Sequence, residues 1–238
     1  MVAAETAFQL LCAILRGEQV NWPGPEELDF YQEFAALAEH HGVDALACHV
    51  LQSSPGWGAV PDSAKEPLLQ GLRRNTALEM VRRRDLQQLM TAMGDASIRV
   101  VLLKGGALAY THYPEPWLRP RVDTDLFIAA ADIPKVKEVF TSLGCRLTGR
   151  TYKSHQFNSV RDAFGGNTIN YDVHWRSANH ARFARIISHQ EAIRESVPVS
   201  GVPGVLALKP GLALLQACMH RAGNPAHDNN RLIWLYDV

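Results

Sequence analysis

The spacing of hydrophobic and polar positions changes twice along the chain and predicts three regions. In residues 1–95 apolar residues recur three and four positions apart, as at Leu10 and Ile14, which is typical of amphipathic helices. From 96 to 177 the apolar runs are short, β-branched and interrupted by glycine and proline, which is typical of strands. We therefore predict an α+β protein whose central sheet region, 96–177, is flanked by a helical N-terminal region, 1–95, and a helical C-terminal region, 178–238.

The central region contains predicted strands and two predicted helices. The helix predicted over residues 132–144 has Asp132 as a candidate N-cap, Pro134 in its first turn and Gly144 at its end, which are common start and stop signals. A shorter helix is predicted directly after the glycine pair Gly105–Gly106. The predicted strands are "IRVVLL", "VDTDLFIA", "CRLTG" and "TINYDVHWR".

Helices are predicted towards both ends of the chain. The third N-terminal helix covers roughly residues 64–94 and includes "RRNTALEMVRRR", with five arginines within twelve residues. That run predicts either a solvated basic face or a surface that contacts a polyanion. The C-terminal helices are predicted over "ARFARIISHQEAIRES", "PGLALLQACMHRAG" and "NNRLIWLYDV". The last amphipathic run stops at Val238, as expected of a truncated chain.

Composition and charge restrict the class of protein. Hydrophobic residues make up 47% and charged residues 20% of the chain, which excludes wholesale disorder and a fibrous architecture. The 24 lysines and arginines balance 24 acidic residues, so there is no general attraction to nucleic acid or an anionic membrane. The four cysteines form no CxxC pair, which disfavours a zinc knuckle and a disulfide framework. Without a signal peptide or a run of about 18 apolar residues, we expect a cytoplasmic protein that does not span a membrane.

Three carboxylates are placed to form one site. Asp123 and Asp125 alternate along a predicted strand and so project from the same face. Asp172 has the same setting in "TINYDVHWR", on the face that also carries His174. Carboxylates this close repel one another unless a proton is shared or a cation lies between them. Three carboxylates on neighbouring strands suit Mg²⁺, which prefers oxygen ligands and completes its shell with water and phosphate. The sequence therefore predicts a Mg²⁺ site, with Mn²⁺ as the alternative ion.

A phosphate-binding corner is predicted upstream of these acids. A strand that runs into Gly105–Gly106 and then a helix offers open backbone N–H groups and a helix N-terminus, which together can seat phosphate oxygens. Arg119 and Arg121 lie in a proline-stiffened loop just before the acids, where guanidinium groups can bind a triphosphate bidentately. Lys104 is a further candidate, as a point charge. His174 is either a contact to the nucleotide or acceptor, or a structural histidine.

The pattern differs from the commoner phosphate-binding motifs. A P-loop requires GxxxxGK[ST], whereas here the lysine precedes the glycines, and the dinucleotide fingerprint GxGxxG is absent. The order of a glycine pair, a DxD strand and a later lone Asp resembles the DNA polymerase beta-type nucleotidyltransferase superfamily. Within it, the segments "LLKGGALAYTHYP", "DTDLFI", "YDVHWR" and "RLIWLYD" look most like a bacterial nucleotidyltransferase family. The first part is also similar to abortive-infection type nucleotidyltransferase toxins.

The resemblance covers residues 98–176 and implies a fold, a reaction and a set of roles. The fold would be a polymerase beta-type mixed sheet. The reaction would be transfer of a nucleoside monophosphate from an NTP such as ATP to an acceptor hydroxyl or other nucleophile, with release of pyrophosphate. Asp123 and Asp125 would hold metal ions, and Asp172 would share one ion and help to deprotonate the acceptor. The nucleotide would be bound by Lys104, Gly105, Gly106, Arg119, Arg121 and His174.

Other readings of the same residues stay open at this point. A toxin-type enzyme would use this chemistry on tRNA, with the arginines of residues 73–84 along the RNA path. A tailoring enzyme would act on a small molecule or a peptide. A degenerate member would bind nucleotide without turnover. The acids also have a purely structural reading, as strand-end residues paired with Arg119 and Arg121.

Overall fold

Four α-helices precede the first strand in the computed structural model, which describes residues 2–148, 155–163, 166–223 and 231–238. The helices are α1 (Val2–Leu15), α2 (Leu28–His40), α3 (Asp44–Gln52), α4 (Asp62–Asp95), α5 (Lys104–Thr111), α6 (Ile133–Ser142), α7 (His189–Arg194), α8 (Pro210–Gly223) and α9 (Leu232–Tyr236). The strands are β1 (Val101–Leu103), β2 (Thr124–Phe127), β3 (Arg146–Thr148), β4 (Gln156–Asp162), β5 (Thr168–His174), β6 (Ser196–Pro198) and β7 (Leu206–Leu208). This confirms the predicted α+β class.

The strands form one mixed sheet in the order β3-β4-β5-β2-β1-β7-β6. The pairs β2·β5 and β1·β7 are parallel, whereas β1·β2, β3·β4, β4·β5 and β6·β7 are antiparallel. The central register sets Leu103 opposite Asp125 and Asp125 opposite Asp172, and Asn158 of β4 lies opposite Asp172. Two acids that are far apart in sequence are therefore neighbours across adjacent parallel strands.

One face of the sheet is buried in a hydrophobic core. Strand residues such as Leu126 and Tyr171 pack there with Leu86 and Met93 of α4 and with Phe140 of α6. Successive strand residues point to opposite faces. Asp125, which precedes Leu126, and Asp172, which follows Tyr171, therefore face away from this core. The apolar side of β2 and β5 thus holds the strands in place, and the polar side is left for the acids.

The chain divides into two compact units. The first consists of Met1–Glu79, Pro114–Pro120 and Asn230–Tyr236, and fully buried side chains of its helices include Leu11, Phe34, Leu46 and Leu68. The second consists of Met80–Tyr113, Arg121–Asn229 and Asp237–Val238 and contains the whole sheet. Within the described residues, no helix combines the length and the apolarity that crossing a membrane requires.

Most predicted elements are present, and one predicted helix is wrong over half its length. The helix predicted over "ARFARIISHQEAIRES" is restricted to α7, which begins after Ser188. The Ser188 Oγ caps it by accepting a hydrogen bond from the backbone N–H of Glu191 at 3.1 Å. Residues 178–188 form turns instead, although Ala184 and Ile187 are buried. Buried residues spaced three apart in a turn region imitate the helical period.

Three strands of the sheet were not predicted. The strands β6 and β7 have three residues each, which is too short for an alternating pattern to be distinguished. The strand β4 has seven residues, but its outward face carries Gln156 and Asn158, and Asp162 lies at its end. Because these positions are polar, the strand is hard to recognise from the sequence, although Phe157 on its inward face is buried.

Several arginines of the basic run on α4 have partners within the protein. Arg73 pairs with Glu66 at 3.4 Å, and Arg74 pairs with both Glu39 and Asp44 at 2.8 Å. Arg83 donates to the carbonyl of Gly201 at 2.8 Å. These contacts favour the structural reading of the basic run over a polyanion surface.

Candidate active site

The acids predicted from the sequence meet where β2 and β5 run side by side. Asp125 and Asp172 are direct register partners, and Asp123 immediately precedes the first residue of β2. Single ligand atoms from Asp125, Asp172 and His174 all lie within 4.8 Å of one another. We call these three residues the acid cluster. Asp123 lies outside this tight group, but it is close enough for its pKa to respond to the charges of the other two acids.

Asp125 is the buried centre of the acid cluster. Its Oδ1 accepts hydrogen bonds from the Lys104 Nζ at 2.5 Å and from the His174 Nε2 at 2.7 Å. Burial by itself would raise the pKa of Asp125, but the ammonium and the imidazole outweigh burial and hold this pKa well below its ordinary range. Because an ionised carboxylate only accepts hydrogen bonds, the His174 Nε2 must carry the proton. Asp125 is therefore a permanent anion.

His174 is a buried part of the cluster, with 1% of its surface exposed. Its Nε2 bonds to Asp125, and its Nδ1 has no hydrogen-bond partner among the described residues. The sequence leaves two roles open for this histidine, a contact to the substrate or a structural role. The structure places it against Asp125, where it orients the carboxylate.

Asp172 is held by two amides from β4. The Gln156 Nε2 donates to its Oδ2 at 3.0 Å, and the Asn158 Nδ2 donates to its Oδ1 at 2.5 Å. Gln156 in turn accepts a hydrogen bond from Asn179. Burial and then the charge of Asp125 raise the pKa of Asp172, which makes it a stronger base than a solvated carboxylate. Neither amide was predicted from the sequence, in which their one signal is the alternation of Gln156 and Asn158 about the buried Phe157.

Asp123 lies at the edge of a groove with a volume of about 520 Å³, which is also lined by Thr148, Asn158, Asn170 and Asp172. Burial and then the charges of Asp125 and Asp172 raise the pKa of Asp123 to about 6. A carboxyl group with this pKa is only partly ionised in weakly acidic solution. The groove gives a second molecule access to the two acids, Asp123 and Asp172, that border it.

The raised pKa of Asp123 predicts how the free energy of unfolding depends on pH. In the unfolded chain this carboxyl has a pKa of about 3.9, so between about pH 4 and pH 6 the folded protein keeps a proton that the unfolded chain has lost. The free energy of unfolding then falls as the pH rises through this window. We expect Asp123→Asn to be more stable than the wild type at pH 7.5, by on the order of 2 kcal/mol, and the gain to shrink towards pH 4.5.

Urea unfolding in EDTA at both pH values measures this effect. Asp162→Asn is the matched control, because Asp162 is an exposed residue paired with Arg146 at 2.9 Å, and it should show no such pH-dependent gain. An Asp123→Asn protein that is no more stable than the wild type at pH 7.5 would contradict the prediction.

Lys104 stands at the corner between β1 and α5. Its backbone has a φ of 51°, a left-handed conformation that is rare for residues other than glycine. Its backbone N–H donates to the Gln216 Oε1 of α8 at 3.1 Å. Burial would lower the pKa of the ammonium, but Asp125 and, more weakly, Asp123 and Asp172 raise it overall. Lys104 thus remains charged and points at the acids.

The glycine pair lies in the first turn of α5, so the helix begins before the pair and not after it as the sequence predicts. A Cβ at Gly106 would lie 3.4 Å from the Leu102 Cδ1 and 3.7 Å from the Thr124 Cγ2. These are ordinary contact distances, so packing by itself leaves space for a small side chain.

The two arginines of the proline-stiffened loop are both buried. Arg121 lies over the ring of Tyr110, with 5.5 Å between the guanidinium carbon and the ring centroid. Arg119 belongs to the first compact unit, where its Nη1 donates to the carbonyl of Pro120 at 2.7 Å.

The acid cluster fits a divalent cation. Its carboxylate oxygens are the donors that Mg²⁺ prefers, and they also suit Mn²⁺. The raised pKa values of Asp123 and Asp172 arise in part from the charge of Asp125, so negative charge at this site is incompletely neutralised by Lys104. A divalent cation would remove that repulsion.

Comparisons with known proteins identify one family. The model of a family described as an uncharacterised nucleotidyltransferase matches residues 30–238. Among solved structures, the chain is similar to the antibiotic-resistance factor ANT(2'')-Ia, determined in solution, with 12% sequence identity and a TM-score of 0.43. That similarity covers 63% of this chain and 78% of the other. The comparison with curated proteins finds no significant match.

Proposed function

The chain belongs to the uncharacterised nucleotidyltransferase family, whose model covers residues 30–238, and on that premise we propose the reaction that its site carries out. It transfers a nucleoside monophosphate from an NTP, such as ATP, to a hydroxyl or other nucleophile of an acceptor and releases pyrophosphate. The reaction depends on Mg²⁺, for which Mn²⁺ can substitute. The observation that carries the proposal is the register of Asp125 against Asp172, with Lys104 at the same carboxylate.

The three acids have separate roles in this proposal. Asp125 and Asp172 hold the cation, with Asp123 at its edge. When bound, a divalent cation would activate the attacking oxygen and stabilise the charge on the leaving pyrophosphate. Asp172 takes the proton of the acceptor hydroxyl, for which its raised pKa suits it. The acceptor oxygen then forms a bond to the α-phosphorus as the bond between that phosphorus and the pyrophosphate oxygen breaks.

The nucleotide is bound at the corner between β1 and α5. The backbone of Gly105 and Gly106 opens the first turn of α5, where N–H groups point out of the helix and can bind phosphate oxygens. Lys104 and Arg121 supply positive charge to the triphosphate in this proposal. The groove bordered by Asp123 and Asp172 receives the acceptor, because it gives access to the residue that takes the proton.

The contacts in the chain bear on the alternatives. A toxin-type enzyme that acts on tRNA needs free arginines along α4, whereas Arg73, Arg74 and Arg83 are engaged with protein groups. A binding module without turnover needs no intact acid cluster, and here the cluster is complete. A transferase that acts on a small molecule or a peptide is therefore the better supported reading.

A reducing compartment such as the cytoplasm fits this proposal. Cys12, Cys48, Cys145 and Cys218 are all free thiols, as expected where disulfides do not form. The nucleotide substrate is also abundant in that compartment.

A direct experiment tests the reaction. The purified protein is incubated with Mg²⁺ and each of the four NTPs labelled at the α-phosphorus, with and without a cell extract as the source of acceptor. Both released pyrophosphate and labelled products are then measured. Transfer of label that requires Mg²⁺ supports the proposal. Binding of NTP without any release of pyrophosphate, in the presence of the extract, would contradict it.

A further inference from the structure

Lys104 occupies the place of a cation in the acid cluster. Its Nζ lies 2.5 Å from the Asp125 Oδ1, and the lysine side chain is 20% exposed against 5% for the aspartate. The same oxygen accepts the hydrogen bond from the His174 Nε2 at 2.7 Å. A buried carboxylate requires a compensating charge, and in this protein Lys104 supplies it.

The backbone of Lys104 is shaped for this contact. Among the described residues other than glycine, only Ser97 and Lys104 have a positive φ, and such conformations persist where the surrounding structure imposes them. Here the imposing contact comes from α8, whose buried Gln216 accepts the backbone N–H of Lys104 at 3.1 Å. The lysine is thus fixed at its backbone, while its side chain spans from the glycine pair to the acids.

Lys104 and a divalent cation would share one carboxylate. The ligand atoms of Asp125 and Asp172 lie within 4.8 Å of one another, so a cation held by these two carboxylates would lie close to the ammonium on Asp125. Two positive charges at such a separation repel strongly in a partly buried site. Binding of the metal therefore requires the ammonium to leave Asp125.

The lysine has room to move. It borders a pocket with a volume of about 30 Å³, lined also by Ser177, Gln216 and His220. A single water molecule needs only about 10–15 Å³ of such space, so a group of ammonium size fits there. The triphosphate of a nucleotide seated on the glycine pair would offer the ammonium a second anionic partner.

We propose that Lys104 is the resident counter-ion of the acid cluster, which it holds closed to divalent metal until a nucleotide draws the ammonium away from Asp125. This inference rests on the proposed function for the identity of the ligands. Lys104 is a positioning residue in this role, since it acts through Asp125. The consequence is that metal and nucleotide bind cooperatively. The nucleotide draws away the ammonium that competes with the metal for Asp125, and the metal displaces the ammonium from Asp125 towards the nucleotide.

Binding of Mn²⁺ to the nucleotide-free protein tests the proposal without turnover. By titration calorimetry and electron paramagnetic resonance, Lys104→Gln should bind Mn²⁺ at least about tenfold more tightly than the wild type, because the competing charge is gone. A non-hydrolysable ATP analogue should tighten Mn²⁺ binding markedly in the wild type and much less in the variant. Lys135→Gln is the matched control, since Lys135 is exposed on α6, and it should behave like the wild type.

Two outcomes would overturn the proposal. The first is Mn²⁺ binding by Lys104→Gln that is as weak as in the wild type, or weaker. The second comes from Lys104→Arg, which keeps the charge and should keep the weak binding, so tight Mn²⁺ binding by this variant would show that charge is not the cause. The second variant also decides the question if Lys104→Gln fails to fold.

The two proposals can fail separately. If the wild type turns over nucleotide but Lys104→Gln leaves Mn²⁺ binding unchanged, the proposal for Lys104 is wrong and the reaction stands. If Lys104→Gln tightens Mn²⁺ binding but no nucleotide is ever transferred, the proposal for Lys104 stands and the reaction is wrong.

Discussion

Asp125→Asn is expected to lower the rate of pyrophosphate release at least about 1,000-fold, which corresponds to about 4 kcal/mol of lost transition-state stabilisation. The substitution keeps the size and one acceptor oxygen of the side chain but removes its charge. Asp125 is the carboxylate whose pKa lies well below its ordinary range and whose Oδ1 accepts from both Lys104 and His174. No other described residue is positioned to supply that permanent charge at the centre of the cluster.

The measurement must separate lost chemistry from lost structure. The variant leaves the buried ammonium of Lys104 without a full counter-charge, so a lower unfolding temperature is expected, and turnover is compared at a temperature where circular dichroism shows both proteins folded. Asp162→Asn provides the same chemical change at an exposed ion pair on β4 and should retain wild-type turnover. Turnover by Asp125→Asn within about tenfold of the wild type would exclude the proposed mechanism.

Asp85→Ala is expected to reduce the free energy of unfolding by about 3 kcal/mol. Asp85 of α4 is buried, and it accepts a hydrogen bond from the Tyr171 hydroxyl and another from the Arg161 Nη1, both at 2.6 Å. Alanine would leave the Tyr171 hydroxyl buried without its partner and would remove the counter-charge of Arg161. Because Tyr171 precedes Asp172 on β5, this contact also anchors the strand that carries one of the catalytic candidates.

A double-mutant cycle sharpens that prediction. Tyr171→Phe alone should cost about 1–2 kcal/mol in the free energy of unfolding, measured in urea. In the Asp85→Ala background the same change removes a hydroxyl that already lacks its partner, so the double variant should be no less stable than Asp85→Ala. Asp162→Ala, at the exposed pair with Arg146, should cost less than about 1 kcal/mol. Strictly additive losses would show that the contact between Asp85 and Tyr171 is not coupled.

Much of the fold follows from local patterns. Alternation along "VDTDLFIA" predicts that Asp123 and Asp125 share a face. Leu126, which points to the opposite face of β2, is buried in the core together with residues of α4. The glycine pair predicts the corner at which α5 begins, and Gly144, with a φ of 76°, ends the region of α6 as its position in the sequence indicates. These features depend on residues a few positions apart, which is the range over which periodicity carries information.

The amides of β4 show where local patterns stop being informative. Gln156 and Asn158 read as loop residues because a strand is recognised by its apolar face, and one face of β4 is polar along the acid cluster. The prediction of a helix from residue 181 is wrong for the opposite reason, because the apolar residues there are buried in turns. In both cases the neighbours in space, rather than the neighbours in sequence, determine which residues are polar.

The sequence by itself determined the class of the protein, most of its central elements and the acids that are the candidates for its active site. Only the tertiary structure decided what those residues touch. Lys104 points at Asp125, which is 21 positions away, and His174 meets the same carboxylate across 49 positions. The physical reason is that these contacts depend on strand pairing and register, since a shift of one residue would turn Asp125 and Asp172 to the opposite face. Register is set by the packing of the whole sheet on its core, which no short stretch of sequence contains.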